Sequence, residues 1–181
     1  MRIKILGIGQ SMRGDDEVGI IIVQRWMKDH RSDYPDTIEA EVLESPGITL
    51  LGAIAGLDAA VMVDAVRSGA LPGTLHHLTE EELASFTEGT GSAHGWGVAE
   101  TLSLGHQLVP EDMPERIIII GVETVQFELG EGLSPEVRAS VPKALKMINE
   151  VLRDLQKTDR RGNRWWLKIC QFLKLQRARK D

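Results

Sequence analysis

Continuous apolar runs alternate with helical patterns along most of this chain. The apolar runs are short and bounded by polar residues or glycine, which is typical of strands that are buried on both faces of a sheet. Between them, apolar residues recur every four positions, as in Val18, Ile22 and Trp26, which indicates helices that pack on the sheet. Five segments are predicted to be strands: residues 2–8, 39–44, 59–65, 74–78 and 116–123.

The helical patterns predict a helix in most of the intervals between these strands. Ser134 and Pro135 resemble a helix start, with serine as the cap and proline at the first position. Within that helix, Pro142 predicts a kink, or Ser140 begins a new helix. Residues 79–96 are expected to be irregular, since glycine is frequent in their second half. The predicted helices cover residues 15–30, 49–57, 98–108 and 135–155.

The order of these elements predicts the fold class. Strands that alternate with helices favour an α/β protein in which helices cover both faces of a mostly parallel sheet. We therefore expect a three-layer α/β/α sandwich with a twisted sheet of about five strands. Residues 1–156 are predicted to form this domain, and residues 157–181 a separate basic tail.

Composition narrows the possible partners and the compartment. Residues 1–156 contain 12 basic and 25 acidic residues, so a broad basic face for nucleic acid is not expected. No apolar run reaches the roughly 18 residues that a membrane helix needs. Cys170 is the only cysteine, which excludes an internal disulfide and a CxxC metal site. The first residues, MRIKILGIGQ, also lack the pattern of a signal peptide, so the cytoplasm is the expected location.

The first glycine-rich loop, GIGQSMRGDDEVG (residues 7–19), resembles a phosphate-binding loop only in part. The spacing from Gly9 to Gly14 fits a P-loop, but Asp15 and Asp16 replace the lysine and the hydroxyl residue. Two carboxylates there would repel a phosphate, and the dinucleotide fingerprint GxGxxG also fits poorly. A nucleotide is therefore not expected as a cofactor.

A cation suits this loop better than a phosphate. Asp64 ends an apolar strand and His94 lies in a glycine-rich loop, so three loops each supply a metal-ligating residue. Aspartate and histidine together suit a divalent transition metal. The alternatives are that Asp15 and Asp16 cap the following helix, that Asp64 caps a turn, and that His94 is a solvated loop residue. Of the two adjacent acids, Asp15 is the expected helix cap and Asp16 the expected ligand.

Other catalytic arrangements are weaker. The HExxH motif of zinc peptidases is absent, and so is the GxSxG motif of α/β-hydrolases. Four histidines receive no role from the pattern: His30, His76, His77 and His106.

Four ordered blocks of the chain resemble the hydrogenase maturation endopeptidases, which process the large subunit of [NiFe] hydrogenases. The resemblance spans about residues 2–150. The four blocks are ILGIGQSMRGDDEVG (5–19), VMVDAVRSGALPGTLHHL (61–78), SAHGWGVAETLSLG (92–105) and IIIIGVETVQFELGEGLSPEVRASVP (117–142).

The resemblance implies an endopeptidase that removes a short C-terminal extension after nickel has been delivered to the large subunit. It implies that the nickel belongs to the substrate and is recognised there by Asp16, Asp64 and His94. The same three residues would be catalytic if the metal itself takes part in cleavage. The adjacent residues Gly9, Gln10 and Gly95 are predicted to contact the substrate.

Two departures from the family pattern lie in the first loop. The family often has asparagine where this chain has Gln10, and often glycine where it has Glu17. Some members have glutamate at the position of Asp16, so the acid of this chain is shorter by one methylene.

Rival functions predict different behaviour. A non-catalytic nickel-binding assembly factor would use the same three ligands and would cleave nothing. An unrelated α/β hydrolase would need a nucleophile that the sequence does not show. The predicted helix at residues 163–178 is basic and amphipathic, and it either packs on the acidic body or contacts the substrate subunit or a membrane surface.

Overall fold

The computed structural model describes residues 1–30, 33–34, 38–44, 47–87 and 97–177. Its strands are Ile3–Ile8 (β1), Ile38–Leu43 (β2), Ala59–Val66 (β3), Leu75–Thr79 (β4) and Arg116–Glu123 (β5). Its helices are Val18–His30 (α1), Gly47–Ile54 (α2), Glu80–Thr87 (α3), Val98–Leu108 (α4) and Pro135–Arg177 (α5). Short 3₁₀ turns lie at Gly14–Glu17 and Pro110–Asp112.

The five strands form one sheet in the order β2-β1-β3-β5-β4. Neighbouring strands are parallel except at one edge, where β4 runs antiparallel to β5. From β1 the chain moves outward to β2 and then returns to the other side of β1 as β3. The order therefore reverses between β1 and β3, and ligands of open α/β sheets bind at such a switch point.

Helices cover both faces of this sheet. One apolar core joins the sheet to α1 and α5, with Ile5, Val61 and Ile120 on the strand side. The other core joins alternate strand residues such as Leu6 and Met62 to α2, α3 and α4. Successive residues of a strand point to opposite faces, so continuous apolar strands are what two covered faces require. The predicted three-layer α/β/α sandwich with a mostly parallel sheet is confirmed.

One local prediction was wrong, and one of two alternatives for the last helix is excluded. Residues 79–96 are not irregular throughout, because α3 occupies Glu80–Thr87. Its start is a capping box: Glu82 donates its N–H to Thr79 Oγ1 over 3.3 Å, and Thr79 donates its N–H to Glu82 Oε2 over 2.7 Å. The T-x-x-E pattern was present in the sequence, but the glycines that follow it hid the helix.

The sequence left two alternatives for the last helix, a kink at Pro142 or a new helix from Ser140. Pro142 lies inside α5, so no new helix begins at Ser140. The hydroxyl of Ser140 instead donates to the carbonyl of Val137 over 2.7 Å. The backbone of α5 continues as helix past residue 157 to Arg177. Among the described residues, no helix is both long enough and apolar enough to cross a membrane.

Candidate functional site

The site lies at the carboxyl edge of the sheet, by which we mean the edge where the parallel strands end. At the switch point, the loop after β1 leads into a 3₁₀ turn that contains Asp16. Asp64 lies near the end of the neighbouring strand, β3. The two acids therefore lie on opposite sides of the crevice in which α/β proteins bind their ligands, Asp16 after β1 and Asp64 on β3. The fold brings together two residues that are 48 positions apart.

Close backbone packing fixes the position of Asp16. Gly9 has a φ of +154°, and a Cβ atom there would lie 1.9 Å from the carbonyl oxygen of Asp16. At Gly19, a Cβ would lie 2.3 Å from the carbonyl oxygens of both Ile8 and Val63. Only glycine fits at these two positions, so the start of α1 rests directly on the ends of β1 and β3.

Asp64 is a carboxyl group with a perturbed pKa. It alternates with Met62 along β3 and so lies on the sheet face that α2, α3 and α4 cover. Burial raises its pKa to about 7, and the negative charge of Asp16 adds to the effect. The N–H of Ala65, which donates to Asp64 Oδ1 over 2.8 Å, opposes the rise. A carboxyl that is hard to ionise beside a second carboxyl indicates a place suited to a cation or a shared proton.

The third predicted ligand, His94, lies outside the described residues, as does Gly95. Within the described ranges, no group of three potential ligands forms a metal site. The described chain resumes at Gly97, and α4 then runs toward the start of β5 at the opposite edge of the sheet. The first turn of α4 therefore faces the carboxyl edge. His94 stays a predicted ligand, and nickel stays a predicted part of the substrate.

Asp15 does not cap its own helix, which corrects the prediction made from its place in the first turn. Its side chain is fully buried and reaches the loop between β5 and α5. Oδ2 accepts the N–H groups of Val125 and Gln126 over 3.2 and 3.1 Å. Oδ1 accepts the N–H of Ser134 over 2.7 Å, and the Ser134 hydroxyl donates to Oδ2 over 3.0 Å. Asp15 thus holds the start of α5 and the loop before it against the first glycine-rich loop.

The structure also shows a buried acid that the sequence interpretation missed. Glu123 ends β5, and its side chain is only 2% exposed. It accepts hydrogen bonds from the N–H and hydroxyl of Ser68, both over 2.8 Å, and from the N–H of Gly69 over 2.9 Å. His76 Nε2 lies 3.0 Å from Glu123 Oε2. The signal was an acid at the end of an apolar strand, the same signal that singled out Asp64.

Hydrogen bonds outweigh burial at Glu123. Burial alone would raise its pKa, but the bonds from Ser68, Gly69 and His76 lower it below the usual range of glutamate. His76, which received no role from the sequence, lies on β4, and its ring also contacts the ring of Phe86 at 4.8 Å between centroids. We call Glu123 and its hydrogen-bond partners Ser68, Gly69 and His76 the Glu123 cluster. This cluster fixes the start of the β3–β4 loop.

Two of the predicted substrate contacts, Gly9 and Gln10, have structural roles in this fold. Gly9 is buried under the main chain of Asp16, which explains why it is glycine. Gln10 is partly exposed, and its Oε1 accepts a hydrogen bond from Arg13 Nη1 over 2.9 Å. Contact of either residue with a substrate stays a prediction.

Comparison with known proteins agrees with this geometry. Residues 43–151 match the family model described as HycI, hydrogenase maturation protease. The chain is 31% identical over 155 residues to the hydrogenase 2 maturation protease of Escherichia coli (strain K12), covering 85% of this chain and 92% of that protein.

Solved structures show the same architecture. The hydrogenase maturating endopeptidase HybD from E. coli aligns with a TM-score of 0.75 at 30% identity, over 85% of this chain and 93% of that one. The [NiFe] hydrogenase maturation protease HybD from Thermococcus kodakarensis aligns with a TM-score of 0.66 at 27% identity, over 83% and 99%.

The family model and these relatives together show that this α/β/α protein, with its paired acids at the switch point, is a peptidase. The chain belongs to the hydrogenase maturation protease family.

Proposed function

We propose that this peptidase removes the C-terminal extension from the large-subunit precursor of an [NiFe] hydrogenase after nickel insertion. Asp16, Asp64 and His94 contact the nickel that the precursor holds. The protein itself needs no nucleotide and no resident metal. The cytoplasm is the compartment in which we place this reaction, in keeping with a chain that has one cysteine.

The observation that supports this proposal best is the meeting of Asp16 and Asp64 at the switch point. Asp16 is 4% exposed, and its charge raises the pKa of Asp64. Like charges at close range oppose each other, and a divalent cation between or beside them removes the opposition. Carboxylate oxygens with an imidazole nitrogen suit a divalent transition metal such as nickel.

The proposal gives the acids a proton-linked role. Free Asp64 holds a proton for about half of the time near pH 7, because its pKa is about 7. A ligand must be deprotonated to bind a metal, so docking of a nickel-bearing precursor releases that proton. The nickel then either marks the correct substrate or polarises the scissile carbonyl as a Lewis acid.

A non-catalytic nickel-binding assembly factor is the second function that the same ligands allow. It predicts nickel affinity in the isolated protein and no cleavage of any precursor. Membership of a protease family favours the peptidase.

A cleavage assay separates these possibilities. Purified precursor, either nickel-loaded or nickel-free, is incubated with the wild-type protein, with Asp16→Asn, and with Asp112→Asn as a matched control. Asp112 is an exposed acid in the turn before β5, at the opposite edge of the sheet. We expect wild type and Asp112→Asn to cleave only the nickel-loaded precursor, and Asp16→Asn to cleave at least about a hundredfold more slowly.

Two outcomes would contradict the proposal. Normal cleavage by Asp16→Asn would remove this residue from the site. Equal cleavage of both precursors by the wild type would exclude nickel recognition.

A further inference from the structure

Exposed apolar side chains are concentrated at the carboxyl edge. Of the seven large hydrophobic side chains that are exposed among the described residues, five lie in segments that follow the ends of strands. The other two are Leu108 and Val109, at the end of α4 near the opposite edge. The five at the carboxyl edge are Met12, Ile48, Leu71, Val125 and Leu129.

Three of these residues lie on two loops that backbone hydrogen bonds join to each other and to the segment of the site acids. Met12 lies four residues before Asp16 in the sequence, and the N–H of Gly130 donates to the carbonyl of Met12 over 2.7 Å. This bond places Leu129, which is 81% exposed, next to Met12, which is 65% exposed. Val125 is 56% exposed, and its own N–H is held by Asp15. We call Met12, Val125 and Leu129 the docking surface.

The backbone under the docking surface is held in place by several contacts. Met12 has a φ of +64°, a left-handed backbone conformation that residues other than glycine, asparagine and aspartate rarely adopt. Such strain persists only where the surrounding structure enforces it, and it is common at functional sites. Here Gly14 donates to the carbonyl of Glu131 over 3.0 Å, and Asp15 donates to that of Gln126 over 2.9 Å.

A third loop supports the same surface. The guanidinium carbon of Arg67 lies 3.9 Å from the centre of the Phe127 ring, a cation–π contact that joins the β3–β4 loop to the loop before α5. Arg67 immediately precedes Ser68, which Glu123 holds through two hydrogen bonds. The apolar side chains are therefore presented on a backbone that is ordered before any partner binds, which lowers the entropic cost of association.

We propose that the docking surface binds an apolar patch on the folded body of the precursor, outside the extension that is cut. This inference rests on the proposed function. The surface is continuous with the site, since Met12 and Val125 are linked to the segment that holds Asp15 and Asp16. A second copy of this chain on the same surface would cover those acids, so the substrate protein is the occupant that the geometry favours. Exposed apolar side chains that are grouped on adjoining loops are typical of protein–protein contacts.

Steady-state cleavage of nickel-loaded precursor protein tests the inference. The test variants are Leu129→Asp and Val125→Asp, and Leu108→Asp is the matched control, because Leu108 is 61% exposed at the opposite edge. We expect the KM of both test variants to rise about tenfold, with kcat within twofold of wild type, as for loss of apolar contacts in a docking interface. Leu108→Asp is expected to leave both constants unchanged.

Met12→Asn gives a second test that a folding defect cannot imitate. Asparagine tolerates a positive φ better than methionine does, so thermal stability is expected to stay equal or to rise. The KM is nevertheless expected to rise several-fold, because the apolar side chain is lost.

The outcomes distinguish this inference from the function on which it rests. Unchanged KM values for the docking-surface variants would overturn the inference. A change from dimer to monomer in Leu129→Asp, seen by sedimentation, with unchanged KM would assign the surface to self-association and also overturn it. Loss of kcat in Asp16→Asn, with precursor binding retained, keeps the proposed function intact in either case.

Discussion

The ends of β3 and β5 show how differently one fold treats two similar acids. Asp64 lies two residues before the end of β3, and Glu123 ends β5. Both lie on the sheet face that α2, α3 and α4 cover. The pKa of Asp64 is raised to about 7, whereas the pKa of Glu123 is lowered. The difference lies in the neighbours. Burial raises the pKa of both acids, but Glu123 accepts hydrogen bonds from Ser68, Gly69 and His76. Asp64 accepts the N–H of Ala65, and the negative charge of Asp16 adds to the effect of burial.

This comparison separates a structural acid, Glu123, from Asp64, the acid for which we propose a function. Hydrogen-bond donors hold Glu123 in its charged form, so it stabilises the loop that it contacts. Asp64 destabilises the fold when it is charged, and carboxyl groups with a pKa perturbed in this way are common at functional sites. Burial by itself does not distinguish the two residues.

Removing Glu123 should have the largest effect on stability. Glu123→Ala leaves the N–H groups of Ser68 and Gly69 without their acceptor in a largely buried place. We expect the free energy of unfolding at pH 7 to fall by about 2–4 kcal/mol, measured by urea denaturation. Because the pKa of Glu123 is lowered in the folded state, this difference is expected above the unfolded pKa and shrinks as the pH falls below it.

Glu123→Gln is the matched control. The amide oxygen still accepts the two backbone N–H groups, so we expect a loss of only about 1 kcal/mol. A loss in Glu123→Ala that is no larger than in Glu123→Gln would contradict the structural role of the Glu123 cluster.

The corresponding substitution at Asp64 should raise the free energy of unfolding instead of lowering it. The folded pKa of about 7 lies above the ordinary value of 3.8, so the folded protein binds more protons than the unfolded chain between those values. Stability therefore falls as the pH rises from about 4 to about 7, and the cost is complete above that range. With a chelator present, we expect Asp64→Asn to be more stable than wild type by about 1–3 kcal/mol at pH 8.

The pH dependence provides the check on this prediction. At pH 4 both proteins carry a neutral group at position 64, so their urea midpoints should nearly coincide. A variant that is less stable than wild type at pH 8 would show that Asp64 is a structural acid like Glu123.

Most of the fold was predictable, because it depends on apolar periodicity. Apolar strands buried on both faces and helices with one apolar side left few arrangements other than a covered, mostly parallel sheet. The order of the strands was not predictable, because it depends on long-range pairing. Helix α3 was not predicted, although Thr79 and Glu82 form a capping box at its start. The glycines of the segment that follows favour irregular structure, and the prediction for residues 79–96 rested on them.

The residue types of the site were predictable from the sequence, but the role of each acid was less so. Strand ends and glycine loops indicated Asp16 and Asp64, and the fold places both at the switch point. The role of Asp15 depends on donors at Val125, Gln126 and Ser134, more than 100 positions away, which no local pattern contains. Glu123 carried the same strand-end signal as Asp64, but the partners that define its role come from another loop and another strand.

The central claim is that Asp16 acts in the maturation of a hydrogenase large subunit. The most direct test is the intact mass of that subunit in a strain that lacks this protein and is complemented with wild type or with Asp16→Asn. We predict that wild type restores the mature mass and that Asp16→Asn, at equal abundance, leaves the C-terminal extension in place. A mature subunit in the uncomplemented strain, or full processing by Asp16→Asn, would contradict the account.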